Sequence, residues 1–159
     1  MTITLATSTP VEITAAPSTG GLSTESAAGG VTQPTSGPPE DGVFTEAQAE
    51  RGALIYRRSC RKCHYADLLG DSGTDGTPGE VAPALAGPDF AARWQGGTLG
   101  EMFQAISRAM PHDRPGTLKA DAVADVISYV LKMNGFPAGD TELPPDEAEL
   151  QKIPLTVTP

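Results

Sequence analysis

The pentapeptide CRKCH, residues 60–64, holds both cysteines of the chain and one of its two histidines. Two thiols three positions apart, followed at once by an imidazole, form the pattern of covalent c-type haem attachment. The thiols of Cys60 and Cys63 add across the two vinyl groups of one porphyrin. His64 then lies over the iron, where its ring nitrogen serves as the proximal ligand. Three other readings fit less well. A structural zinc site takes four ligands, and outside the motif the chain has no cysteine and one histidine, His112. A thioredoxin-like redox pair belongs in a βαβ context, whereas the flanks here read as helix. The last is a chance pentapeptide.

The elements that must position this motif are helices. Residues 44–63 read as the first, with Thr45 and Gln48 as a T-x-x-Q capping box and with Gly52, Tyr56 and Cys60 spaced four apart along one face. A glycine inside a helix costs up to ~1 kcal/mol against alanine, so Gly52 predicts close approach by another helix. The second is TLGEMFQAISRAM, capped by Thr98 and Glu101, with Leu99, Met102, Phe103 and Ile106 as its apolar stripe. The third is ADAVADVISYVLKMNG, with Val123, Val126, Ile127, Val130 and Leu131 on one face and Gly135 as its stop. Tyr129 is placed to reach the first helix near Gly52. Strand signals are poor, and the predicted class is all-α.

Charge and composition divide the chain. Residues 1–42 have no Lys, Arg or aromatic residue and are rich in Ser, Thr, Gly, Pro and Ala. Such a segment buries too little apolar surface to offset its ordering entropy, so it is expected to be a disordered arm or linker. A short strand at MTITLA, paired with a partner's strand, is the alternative. The formal charge of −9 is shared as −4 over 1–42, −1 over 43–136 and −4 over 137–159. Acidic ends and a balanced centre exclude the basic footprint that nucleic acid needs. No apolar run reaches the ~20 residues of a membrane span, and no signal peptide is visible.

The order of helix, C-x-x-C-H, Pro-containing loop, middle helix, methionine loop and C-terminal helix resembles a class I cytochrome c, from about Val43 to Phe136. The stretches APALAGPDFAARWQGGTL, MPHDRPGTL and NGFPAGDTELP are similar to the small cytochromes that serve quinoprotein alcohol dehydrogenases or are fused to them. The resemblance implies a domain over 43–159, with core 43–136 and C-terminal extension 137–159, in which three main helices surround one covalent haem c. It implies that the Pro83 carbonyl accepts the second ring proton of His64, and that Trp94 lies where a ring bonds a haem propionate. It also places Gly52, Tyr56 and Tyr129 in the packing between first and last helices, and Met110 in the distal ligand position. Two features depart from the pattern. Tyr65 stands where a glycine is common, so the backbone there is expected to run differently. The loop 66–82 is long and acidic; Asp71, Asp75 and Glu80 lack EF-hand spacing and read as a solvated loop.

For the sixth ligand, Met110 competes with Met102, His112 and an open site. Met1 lies in the arm. Met133 reads as a packing residue near the end of the last helix, and Met102 as core filler on the middle helix. Pro111 follows Met110 and stops the helix, and Pro115-Gly116 stiffens the loop further. A stiff loop holds a weak thioether with little ordering cost. His112 lies two residues beyond among polar neighbours, the setting of a surface histidine.

An iron closed on both faces leaves one-electron transfer. The expectation is an electron carrier rather than an enzyme, passing electrons from a redox-protein donor to an acceptor, with a quinoprotein dehydrogenase or a terminal oxidase as partner. A haem enzyme or gas sensor with a displaceable sixth ligand is one alternative; a tethered electron-transfer module of a larger complex is another. Arg57, Arg58, Arg61 and Lys62 read either as a docking patch or as a solvated helix face. Covalent attachment of this kind implies export, so the expected location is periplasmic or otherwise extracytoplasmic.

Overall fold

Thr45 starts the first helix. Its backbone is extended, and its side-chain oxygen accepts from Gln48 N at 3.1 Å. The computed structural model describes residues 42–71 and 82–156. The expected arm, apart from Gly42, and the strand considered at MTITLA lie outside the described residues, as do Asp75 and Glu80.

Among the described residues the elements are α1 (Glu46–Ser59), α2 (Arg61–His64), α3 (Gly87–Trp94), β1 (Gly97–Thr98), α4 (Leu99–Ala109), α5 (Ala120–Met133), α6 (Glu147–Leu150) and β2 (Pro154–Leu155). The helical class expected from sequence holds. The antiparallel pair β1–β2, with Gly97 opposite Leu155 and Thr98 opposite Pro154, adds two residues of strand on each side.

Several local expectations change. The helix expected over 44–63 breaks at Cys60, whose φ of −121° leaves the helical range. Cys60 N–H still closes the last turn on Tyr56, while its carbonyl accepts from both Cys63 and His64 and so opens a new turn. The reciprocal half of the capping box at Thr45 is absent. Gln48 is buried and exchanges two bonds with the backbone of Leu143, donating to its carbonyl at 3.0 Å and accepting from its N–H at 2.8 Å. A buried amide satisfied by a remote backbone outcompetes a local cap. At α4 both halves of the box form between Thr98 and Glu101. Met133 is 45% exposed rather than packed.

The α1–α5 crossing organises the core. A Cβ on Gly52 would lie 1.9 Å from the Asp125 carbonyl oxygen and 2.9 Å from Tyr129 Cβ. The Tyr56 and Tyr129 rings pack 5.2 Å apart beside it. Arg51 grips Asp125 through two bonds, at 2.9 and 3.1 Å, and Glu142 through two more. That guanidinium holds the exposed Glu142 carboxyl below its ordinary range. Val123, Ile127 and Leu131 are fully buried on α5, each contributing roughly 1.5–3 kcal/mol by leaving water.

Candidate functional site

The break at Cys60 puts Cys60, Cys63 and His64 on the wall of a cavity of about 390 Å³, within the ~300–1,000 Å³ usual for cofactor and ligand sites. α1 delivers this wall and a buried tyrosine fastens it. The Tyr56 hydroxyl donates to the carbonyls of Tyr65, at 2.8 Å, and His64, at 3.2 Å. Tyr65 has φ 58° and ψ −179°, a conformation that glycine adopts freely and that strains an L side chain by ~1–3 kcal/mol. Tyr65 thus occupies a backbone conformation that suits the glycine common at this position. It is held by the Tyr56 hydroxyl from one side and by Gly70 N–H donating to the His64 carbonyl from the other. Tyr56→Phe is expected to lower stability by about 1 kcal/mol and to broaden the signals of residues 64 and 65, measured by thermal melting and NMR of the holoprotein.

The following loop returns to the site through two backbone bonds. Asp71 N–H donates to Ala82 O and Leu85 N–H to Leu68 O. They place the Pro83 carbonyl 2.9 Å from His64 Nδ1. A carbonyl accepts only, so Nδ1 carries the proton and Nε2 keeps its lone pair. Burial pushes the His64 pKa below its ordinary value against the opposing pull of that carbonyl, which favours the neutral, ligating form. Asn134, just past α5, secures the same loop by donating to Leu85 O and accepting from Gly87 N–H.

The remaining walls come from three helices. α3 contributes Phe90, Arg93 and Trp94; α4 contributes Met102, Ala105, Ile106 and Ala109; α5 contributes Val126 and Val130. Met110 caps α4 in an extended conformation and lines the cavity with Pro111 and His112. All six residues singled out from sequence, namely Cys60, Cys63, His64, Pro83, Trp94 and Met110, thus border one space. Met102 and His112 border it too, Met102 as a buried member of the core and His112 as an exposed residue.

The donor set fits a covalent haem. Two thiols and a neutral imidazole share one short segment, a thioether lines the same cavity, and the aliphatic side chains of α4 and α5 suit a flat apolar ring. Burial pushes the Cys60 thiol up to about 11. Such a thiol is protonated at neutral pH, the reverse of the low-pKa thiolate that thiol–disulfide exchange needs. Among the described residues no cluster of three or more His, Cys, Asp or Glu offers a site for a bare metal ion.

Sequence reasoning passed over Leu143, Leu150 and Leu155, all buried, and Asn134. The signal for the first group was available. Asp146 caps α6 by accepting from Glu149 N–H, and an Asp-x-x-Glu step between buried leucines marks a folded segment rather than a tail.

The sequence profile of the family described as cytochrome c oxidase, cbb3-type, subunit III, matches residues 47–130, from α1 through most of α5. None of the curated proteins compared matches the chain. Among solved structures, the sulfane dehydrogenase SoxCD from Paracoccus pantotrophus aligns with a TM-score of 0.48 at 21% identity, over 73% of this chain and 61% of that one.

Proposed function

The chain belongs to the cytochrome c family described as cytochrome c oxidase, cbb3-type, subunit III, and on that premise we propose that it is a one-electron carrier with one covalent, His/Met-ligated haem. A cytochrome c domain implies haem-based electron transfer. The observation that carries the finer reading is the shared cavity, in which His64, its Nδ1 proton held by Pro83, and Met110 border the same space as Cys60 and Cys63.

Bound there, the haem supplies the Fe(III)/Fe(II) couple. The chain's own residues do the rest. Cys60 and Cys63 anchor the ring. The Pro83 carbonyl fixes the His64 tautomer and raises its basicity. Met110 is the distal ligand in preference to Met102, which is locked in the core at 2% exposure within α4, and to exposed His112. A thioether favours the ferrous state and raises the potential. Trp94 is the propionate partner. An iron ligated on both faces is expected to bind carbon monoxide slowly at neutral pH while exchanging one electron rapidly. Fast carbon monoxide binding sinks the carrier reading in favour of a sensor or haem enzyme.

The charges lining the cavity suggest the partner's charge. Arg58, Lys62, Arg93 and Arg114 line it, with Asp113 paired to Arg114 and exposed Arg57 and Arg61 beside them, on a chain of net charge −9. The partner is a redox protein with an acidic docking face, a dehydrogenase as donor or a terminal oxidase as acceptor. The site of action is outside the cytoplasmic membrane; no helix among the described residues is long and apolar enough to cross one. The double variant Arg58→Glu/Lys62→Glu is expected to slow electron exchange with a carboxylate-terminated electrode about tenfold at low salt, with the difference fading as the Debye length falls. Equal rates at low salt would show that these cations do not steer docking.

A further inference from the structure

Residues 137–156 leave the last long helix and travel across the molecule, touching first the helix that leads to His64 and then the helix that leads to Met110. At the first, Gly139 N–H donates to Phe44 O at 2.7 Å. Glu142 pairs with Arg51, and Leu143 exchanges its two backbone bonds with Gln48. At the second, the contacts are closer still. A Cβ on Gly100 would lie 2.7 Å from both N and Cα of Gln151, so only glycine lets the segment lie this near α4. Leu99 N–H donates to Ile153 O at 3.0 Å. Gln104 Nε2 donates to Glu147 at 2.8 Å, and β2 pairs with β1 at the foot of α4.

The faces of α4 give these contacts their meaning. Met102, Ala105, Ile106 and Ala109 border the cavity. Gly100 and Gln104, which meet residues 137–156, lie on the opposite side of a helix of about 3.6 residues per turn. α4 is therefore held between the cavity and this segment, and Met110 is its last capping residue. We propose that residues 137–156 are a strap that fixes the spacing between the His64-bearing and Met110-bearing helices, so that Leu143, Leu150 and Leu155 are positioning residues for the distal ligand. The inference rests on Met110 being that ligand.

The mechanism is a shift of population. Weakening the strap leaves α1, α2 and the covalent attachment in place but lets α4 move away from the cavity, which raises the fraction of molecules with Met110 detached. An added ligand for the iron then binds with an apparent affinity raised in proportion to that fraction.

The test uses the ferric holoprotein of Leu150→Ala, with Val123→Ala as reference. Val123 is fully buried on α5, does not line the cavity, and takes no part in the hydrogen bonds that tie residues 137–156 to α1 and α4. Both variants are expected to melt earlier. Only Leu150→Ala is expected, well below its melting temperature, to weaken the near-infrared band of thioether ligation and to bind imidazole about tenfold more tightly, the ratio that a modest loss of closure free energy gives. Leu150→Val supplies the same measurement with a smaller effect should the alanine variant fail to fold. If Leu150→Ala or Leu150→Val melts earlier yet keeps the wild-type band and imidazole affinity, the strap is not a positioning device and the proposal is overturned. Met110→Ala separates the two readings. Retention of the band in that variant removes the ligand assignment, whereas its loss there beside unchanged Leu150 variants removes the strap alone.

Discussion

Replacing Met110 with alanine is expected to abolish the weak near-infrared absorption of ferric thioether ligation and to lower the reduction potential on the order of 0.1 V or more, out of the roughly 0.8 V that axial ligands command among haem proteins. The thioether is a soft ligand and stabilises the ferrous state; water or an empty position does not. Local structure favours this residue over its rivals. Met110 follows the last turn of α4 with φ −121° and ψ 152°, its N–H still bonded to Ile106, so its side chain projects from a helix end rather than from a packed stripe. Met102 is tied into the core with Leu99 and Phe103, and its replacement is expected to cost stability with little change in the spectrum. The assignment is wrong if Met102→Ala loses the band and Met110→Ala keeps it. Cyanide and carbon monoxide are expected to bind the wild type slowly and Met110→Ala quickly.

Gly52→Val is expected to destabilise the holoprotein by ~3 kcal/mol or more, at the upper end of overpacking costs, and to lower the melting temperature on the order of 10 °C. The reason is the nature of the obstacle. The new Cβ would meet the Asp125 carbonyl oxygen at 1.9 Å and its carbon at 2.6 Å. Those are backbone atoms of α5, held in place by the Arg51 grip on the Asp125 side chain, and they cannot swing aside as a flexible side chain does. Alanine gives the more discriminating result. In an open helix Gly→Ala gains roughly 0.5–1 kcal/mol, but the clash arises at Cβ, so Gly52→Ala is expected to destabilise as well. α1 runs into Cys60 and His64 while α5 supplies Val126 and Val130 to the cavity. Parting the helices therefore also loosens the proximal wall, which a broadened optical spectrum of the variant would register. An unchanged melting temperature in Gly52→Ala would place the α1–α5 contact elsewhere.

What the chain spelled out by itself was whatever neighbours in sequence determine. The motif CRKCH is a covalent pattern five residues long. The Thr45 and Thr98 caps join groups three residues apart, and the stripes of α4 and α5 repeat every three to four positions. Gly52 announced a close approach because an internal glycine has a helical cost with no local return. These features single out the two cysteines, both histidines and the competing methionines without any tertiary contact.

Tertiary structure decided what depends on partners far along the chain. Gln48 abandoned the local cap for a backbone partner 95 residues away, because a buried amide must be satisfied on both its donor and its acceptor. The single helix expected through the motif broke at Cys60, and just beyond it a tyrosine hydroxyl and the loop that follows hold Tyr65 in a backbone conformation that glycine usually eases. The acidic C-terminal extension became a strap with buried leucines, since five acids against one lysine mask, in composition, three apolar anchors spaced seven and five residues apart. Such anchors carry no helical or strand period of their own. They are read only when the surface they cover, here the flank of α1 and the far side of α4, is itself in place.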